Sequence, residues 1–133
     1  MKKFLLAWGV YVVLTFAIAA SWHLAIFKEV YDHLGIYTRK EPIIALGVLT
    51  MVIQGTVMAY LYPLYYRGGK PLRQGALFGV IMGAFLGSYA VLADAAKNEV
   101  SSLSTWIALE SVYYILQFAV VGAAIGLIYG EKK

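Results

Sequence analysis

The chain contains no cysteine, which excludes disulfide bonds, thiolate metal sites and a cysteine nucleophile. Charge is also scarce, because Asp, Glu, Lys and Arg make up only 14% of the 133 residues, whereas soluble domains carry roughly 25%. The basic residues are scattered at the ends of apolar runs, so no nucleic-acid partner is expected. With 62% hydrophobic residues, the composition predicts a membrane protein of one domain, residues 1–133, embedded in a lipid bilayer.

The sequence also lacks the motifs that most catalytic and cofactor sites need. It has no G-x-S-x-G turn, no recognisable order of serine, histidine and acid, and no phosphate-binding glycine loop. We therefore expect no catalytic residues and no cofactor, and the pattern argues against an enzyme without excluding one.

Four apolar stretches are long enough to cross a bilayer as helices, which takes about 20 residues each. Their expected ranges are 4–27, 42–66, 71–94 and 104–130. The start of the first stretch resembles a signal peptide, but its apolar character continues to Phe27, so it is predicted to be a retained span. A turn is expected at Gly35, and serines near residue 102 offer a cap for the fourth helix. The sequence thus predicts an all-α, four-helix transmembrane bundle.

Basic residues predict how the bundle is oriented. Seven fall on the side that holds both termini and the middle loop: Lys2, Lys3, Arg67, Lys70, Arg73, Lys132 and Lys133. Four fall on the other side: Lys28, Arg39, Lys40 and Lys97. By the positive-inside rule, both termini are predicted to be cytoplasmic.

Small residues recur at helical spacing in the last two stretches. The pattern is a glycine at every fourth position: Gly75, Gly79, Gly83 and Gly87 in the third stretch, then Gly122 and Gly126 in the fourth. Residues four apart lie above one another, so these glycines form a smooth face where another backbone can approach closely. We expect the two helices to pack through these glycine zippers, either on each other or on copies of themselves.

Glu110 is the most informative polar residue, because it falls inside the fourth stretch, where a carboxylate is costly and should face the bundle interior. An inward polar cluster is predicted around it, comprising Glu110, Asp94, Gln54, Gln117 and Thr50. The cluster has two explanations. It either fixes helix packing through interhelical hydrogen bonds, or it forms a binding or conduction site.

A second group of polar residues follows the first stretch. His23, Glu29, Asp32 and His33 include an i, i+3, i+4 pattern, so imidazole and carboxylate groups can share one helix face. This makes the four residues candidate ligands for zinc or a similar divalent ion. The alternative is a polar helix that simply leaves the membrane.

The whole chain resembles small bacterial four-helix inner-membrane proteins of unknown function. The resemblance rests on the segment WHLAIFKEVYDHLGIYTRKEPI, the glycine-rich third stretch and the segment DAAKNEVSSLSTWIALES. It implies four spans in a bacterial cytoplasmic membrane, and it carries no activity and no functional residue.

Three functional hypotheses follow. The first is a non-catalytic membrane protein, either a homo-oligomer or an accessory subunit of a larger complex. The second is a small transporter or channel that uses Glu110, with Asp94 at its mouth. The third is a metal-binding protein or enzyme that works at the outer face.

Overall fold

The computed structural model describes residues 1–131, and Lys132 and Lys133, which the charge prediction counted, lie outside the described residues. Within that range the chain is helical and has no strand. Its six α-helices are α1 (Lys2–Ser21), α2 (Lys28–Leu34), α3 (Ile44–Tyr65), α4 (Pro71–Gly87), α5 (Asp94–Lys97) and α6 (Leu103–Tyr129). π-Helical turns at Trp22–Ile26 and Ser88–Ala93 extend α1 and α4.

Four continuous helical segments are long and apolar enough to cross a membrane. They are Lys2–Ile26, Ile44–Tyr65, Pro71–Lys97 and Leu103–Tyr129. Their ends lie within three residues of the predicted ranges. The predicted all-α membrane bundle with four spans is therefore confirmed. The helical outcome follows from the bilayer, where every backbone group must be hydrogen-bonded within its own segment.

Helix ends follow the local sequence. Gly35 ends α2 with a φ of 74°, a left-handed conformation that glycine adopts without a steric penalty. Ser102 caps α6 by accepting a hydrogen bond from the Thr105 backbone N–H at 3.4 Å. Both features confirm the predicted breaks. Pro63 lies inside α3 near its C-terminal end, and that helix continues to Tyr65.

α6 is the central helix of the bundle. It packs on α4 along one side and on α1 along another, while α3 packs mainly on α1 and touches α4 only slightly. The start of α1 and the end of α6 lie at one end of the bundle, which we call the terminal end, where the Lys3 Nζ donates to the Tyr129 carbonyl at 2.6 Å. The connections 35–43 and 98–102 lie at the opposite end.

The glycines of α4 and α6 lie where these helices meet. A Cβ at Gly75 would lie 2.9 Å from the Gly126 Cα, and a Cβ at Gly122 would lie 2.7 Å from the Gly79 Cα. A Cβ at Gly83 would lie 2.9 Å from the Phe118 Cβ, and one at Gly87 only 3.1 Å from the Tyr114 Cβ, so the approach continues along α4. The small faces are therefore used within the chain, between α4 and α6.

We predict that Gly79→Ala destabilises the bundle. The added methyl group would lie 2.7 Å from the carbonyl carbon of Phe118, a backbone atom that can move only if the helices separate. Overpacking costs about 1–3 kcal/mol, and we expect the upper end here. Thermal unfolding in mild detergent, followed by circular dichroism, measures the effect.

The matched control is Gly9→Ala on α1, where an added Cβ has no heavy atom within 4 Å. It should leave the unfolding midpoint unchanged or raise it. Equal midpoints for the two variants would contradict a close contact between α4 and α6.

Candidate functional site

Glu110 is buried inside the bundle, where its side chain is only 3% exposed. It lies seven residues after the start of α6, which places it roughly 10 Å along the helix axis from Leu103. The Glu110 side chain points into the bundle, as the sequence predicted. Since a carboxylate at this depth must find its hydrogen-bond partners within the protein, those partners define the site.

His23 binds one carboxylate oxygen. Its Nε2 lies 3.0 Å from the Glu110 Oε1, and its Nδ1 lies 3.1 Å from the Ala19 carbonyl oxygen. A carbonyl oxygen only accepts, so Nδ1 carries a hydrogen. The contact between Nε2 and Oε1 then needs one proton, which belongs either to the imidazole or to the carboxyl group. In both arrangements the pair has no net charge.

Tyr31 binds the other oxygen. Its hydroxyl donates to the Glu110 Oε2 and accepts from the Trp22 indole N–H at 2.8 Å. Burial, followed by the hydrogen bond to Glu110, holds the pKa of the Tyr31 hydroxyl well above its ordinary value. The hydroxyl therefore keeps its proton and acts as a donor to the carboxylate. A continuous hydrogen-bonded chain runs from Trp22 through Tyr31 and Glu110 to His23.

The short helix α2 brings Tyr31 to the site by folding back over the opposite end of the bundle. Ser101, in the connection before α6, fixes the end of α2: its hydroxyl donates to the His33 carbonyl at 2.7 Å, and its backbone N–H donates to the Leu34 carbonyl at 3.0 Å. Tyr31 and Leu34 are buried beneath α2. The helix α2 therefore covers the site at the opposite end of the bundle.

Aromatic rings surround the carboxylate and its two partners. The Tyr113 ring lies 4.5 Å from the His23 ring, and the Tyr37 ring lies 5.6 Å from that of Tyr31. Trp106 closes the far side at 5.8 Å from Tyr37. The Trp106 indole also donates to the Val91 carbonyl at 2.9 Å, at the π-helical turn that extends α4. The walls of the site are therefore mainly aromatic rings.

The other members of the predicted cluster do not all meet Glu110. Deeper in the bundle, the Gln117 amide donates to the Thr15 hydroxyl at 3.3 Å, and the Tyr11 hydroxyl donates to the Gln54 Oε1 at 2.9 Å. The structure thus places Gln117 and Gln54 in interhelical hydrogen bonds with α1, between Glu110 and the terminal end.

Thr50 and Asp94 lie apart from these interior groups. The Thr50 side chain is exposed and donates to the Leu46 carbonyl of its own helix at 3.0 Å. Asp94 is 43% exposed and lies 3.6 Å from the Lys97 Nζ. The structure therefore leaves both residues outside the site around Glu110.

The four candidate metal ligands are also separated. Glu29, Asp32 and His33 are exposed on α2, whereas His23 is engaged with Glu110. The His33 Nδ1 donates to the Glu29 carbonyl at 2.8 Å, and Asp32 accepts from the Lys28 Nζ at 2.7 Å. Across residues 1–131 no group of three or more His, Cys, Asp or Glu side chains is placed to hold a metal ion.

Two openings reach the interior from the side of the bundle. The first, which we call the lateral groove, lies between α1 and α3, has a volume of about 180 Å³ and is lined by His23 among apolar side chains such as Phe16 and Met51. The second, which we call the α3–α4 cleft, measures about 550 Å³ and is lined by Gln54 and Tyr89 among others. The lateral groove connects the bilayer side of the bundle to the imidazole that binds Glu110.

Sequence reasoning did not find Tyr31 or Trp22 as partners of Glu110, and it assigned His23 to a different site. One signal was available for His23, since it is the one histidine that falls in an apolar stretch, and Glu110 is the one acid well inside another. Such a pair is expected to meet across the bundle. No comparable signal exists for Tyr31, which α2 brings in from outside the spans.

Comparison with protein-family models, with curated proteins and with solved structures finds no match for this chain. The resemblance to small bacterial inner-membrane proteins therefore stays a hypothesis, and function has to be argued from the residues of the site.

We predict that Tyr31→Phe lowers the stability of the folded protein. The change leaves the Glu110 Oε2 without its donor and the Trp22 indole without its acceptor. A buried polar group without a partner costs about 1–3 kcal/mol. Thermal unfolding in detergent, followed by tryptophan fluorescence, measures the loss.

Tyr89→Phe is the matched control, because the Tyr89 hydroxyl is on the surface and only accepts from the Lys97 Nζ at 3.1 Å. Its unfolding midpoint should stay close to that of the unaltered protein. A Tyr31→Phe protein as stable as this control would contradict the hydrogen bonds assigned to Tyr31.

Proposed function

We propose that this protein is a small membrane transporter in which Glu110 is the proton-binding carboxylate. The proposal places it in a bacterial cytoplasmic membrane with both termini in the cytoplasm, following the distribution of basic residues. The observation that carries it is the 3.0 Å contact between the His23 Nε2 and the Glu110 Oε1 inside a membrane-spanning bundle, a contact that needs one shared proton.

The shared proton supports the proposal because of its energetics. A full charge at the centre of a bilayer costs about 2.5–3.5 kcal/mol on insertion scales, so an unpaired carboxylate is disfavoured there. The pair of His23 and Glu110 carries no net charge, whichever residue holds the proton. The proton can therefore move between the two groups without creating a net charge in the hydrocarbon region.

Polar groups continue from the site toward the terminal end. The pair Gln117–Thr15 comes first, and the pair Tyr11–Gln54 follows. The hydroxyl of Tyr62, near the end of α3, is buried and has no hydrogen-bond partner among the described residues. This column of polar side chains in an otherwise apolar interior supports movement of a proton or small polar solute along the bundle axis.

The test is proton flux in liposomes that contain the purified protein and a trapped pH-sensitive dye. An imposed proton gradient should relax faster with the unaltered protein than in protein-free liposomes. Glu110→Gln keeps the size of the side chain but removes the proton-binding group, and we expect it to lower the protein-dependent rate at least tenfold.

Asp32→Asn is the control, since this carboxylate is exposed and paired with Lys28 outside the bundle. It should transport like the unaltered protein. Full flux in Glu110→Gln, or no flux above protein-free liposomes for the unaltered protein, would contradict the proposal.

A second candidate function is an oligomeric or accessory subunit without transport activity. It is favoured by the α3–α4 cleft, where two helices that are neighbours in sequence barely touch. Because the glycine faces of α4 and α6 are used within the chain, this candidate assigns the cleft, rather than those faces, to a helix from a second copy or from another membrane protein.

For this candidate we predict that Ala90→Trp, which fills the cleft, converts an oligomer to a monomer. Native mass spectrometry of protein released from mild detergent reports both states. Leu77→Trp is the control, because Leu77 is exposed on α4 and does not line the cleft. An unaltered protein that is monomeric contradicts self-association, and an oligomer that survives Ala90→Trp contradicts the use of this cleft.

A further inference from the structure

The carboxyl group of Glu110 is paired without a Lys or Arg. Among residues 1–131 there are three ion pairs, and the one that involves Glu110 has His23 as its partner. An imidazole has a neutral form with one N–H and one acceptor nitrogen, whereas a guanidinium is always charged. The carboxylate is thus held by a partner that can be exchanged.

The walls of the site favour a cation as the replacement. Aromatic rings present a negative π face, and a cation within about 6 Å of a ring centroid is attracted to it. Three tyrosine rings lie around the His23 imidazole, at 4.6 Å for Tyr31, 6.2 Å for Tyr37 and 4.5 Å for Tyr113. An anion would meet the carboxylate and these π faces, so it is disfavoured.

The lateral groove gives such a cation a path. His23 lines the groove, and its side chain is 19% exposed, whereas Glu110 behind it is only 3% exposed. The volume of about 180 Å³ equals roughly six water molecules, and the lining is almost entirely apolar. A ligand with an apolar body and one charged end suits this arrangement, because the body matches the apolar groove and Glu110, behind His23, supplies the opposite charge.

We propose that the site takes a small, lipophilic primary amine in its protonated form. The amine enters from the bilayer along the lateral groove and replaces His23 at the Glu110 Oε1. This rests on the proposed function, because it names the substrate class of the same carboxylate.

The exchange balances in charge and in protons. Before binding, His23 and Glu110 share one proton and are neutral together. The ammonium group then donates an N–H to the Oε1, while Tyr31 keeps its hydrogen bond to the Oε2. His23 retains the hydrogen on Nδ1 and releases the shared proton, so one cation enters as one proton leaves and the site stays neutral.

The experiment is isothermal titration calorimetry of the unaltered protein in mild detergent with phenethylamine, which is protonated at neutral pH. Titrations in two buffers of different ionisation enthalpy count the protons released. We expect one amine bound and one proton released per chain. The matched ligand 2-phenylethanol has the same carbon skeleton without a charge, and we expect it to bind at least tenfold more weakly.

Two variants locate the bound amine. Glu110→Gln should weaken phenethylamine binding at least tenfold, because the counter-charge is lost. His23→Ala should bind as tightly as the unaltered protein or more tightly, because the internal competitor is gone. Loss of binding in His23→Ala would overturn the exchange, since the imidazole would then be the group that holds the amine.

The comparison of the two ligands on the unaltered protein decides the matter even where a variant does not fold. No binding of phenethylamine, or equal binding of 2-phenylethanol, overturns the inference. Liposomes that show Glu110-dependent proton flux without amine binding overturn this inference and leave the proposed function intact. Amine binding with proton release but without flux supports the amine site and contradicts transport.

Discussion

The structure depends most on one requirement, which is that a carboxylate inside a bilayer has to find its partners within the protein. Glu110 meets it with His23 from the turn that extends α1 and with Tyr31 from α2. Because α2 lies beyond the first span, it has to fold back over the end of the bundle to bring Tyr31 in. The hydrogen bonds of this one side chain therefore act together with those of Ser101 to hold α2 over the opposite end. Removing His23 or Tyr31 is expected to lower the free energy of unfolding by more than the hydrogen-bonded pair adds to it, because Glu110 is then buried without a partner.

The close contact between α4 and α6 determines which side of α6 remains for chemistry. Backbone atoms meet where the glycines lie, so that face of α6 is occupied along much of its length. Gln117 and Gly122 are five residues apart, which is about 140° around a helix. The polar face is therefore turned toward α1, where Thr15 accepts from Gln117. The close packing of the glycine face of α6 on α4 therefore determines that its polar face points toward α1.

The four spans could be predicted from the sequence because a long apolar segment in a bilayer has to be helical. Of the partners of Glu110, His23 had one signal, because it is the histidine inside an apolar stretch, and Tyr31 had none. His23 lies in the π-helical turn at Trp22–Ile26, and no periodicity in the sequence signals that departure from a regular helix. Thr50 and Gln54 are four apart on α3 and were expected on one inward face. Thr50 instead satisfies its hydroxyl on its own backbone, so nothing requires it to face inward.

Whether Glu110 has a structural or a functional role depends on how well the bundle is stabilised by its other contacts. Packing is supplied by the α4–α6 glycine contact and by a buried aromatic and aliphatic core. For stability alone, a buried ion pair is often no better than apolar residues of similar volume. The pair of Glu110 and His23 lies at the π-helical turn that extends α1. It is covered by α2 and lies beside the lateral groove, which is open to the bilayer. A neutral pair that shares one proton can exist in either protonation arrangement at no cost in net charge. That property adds nothing to packing, and it is what a site that exchanges protons or cations requires.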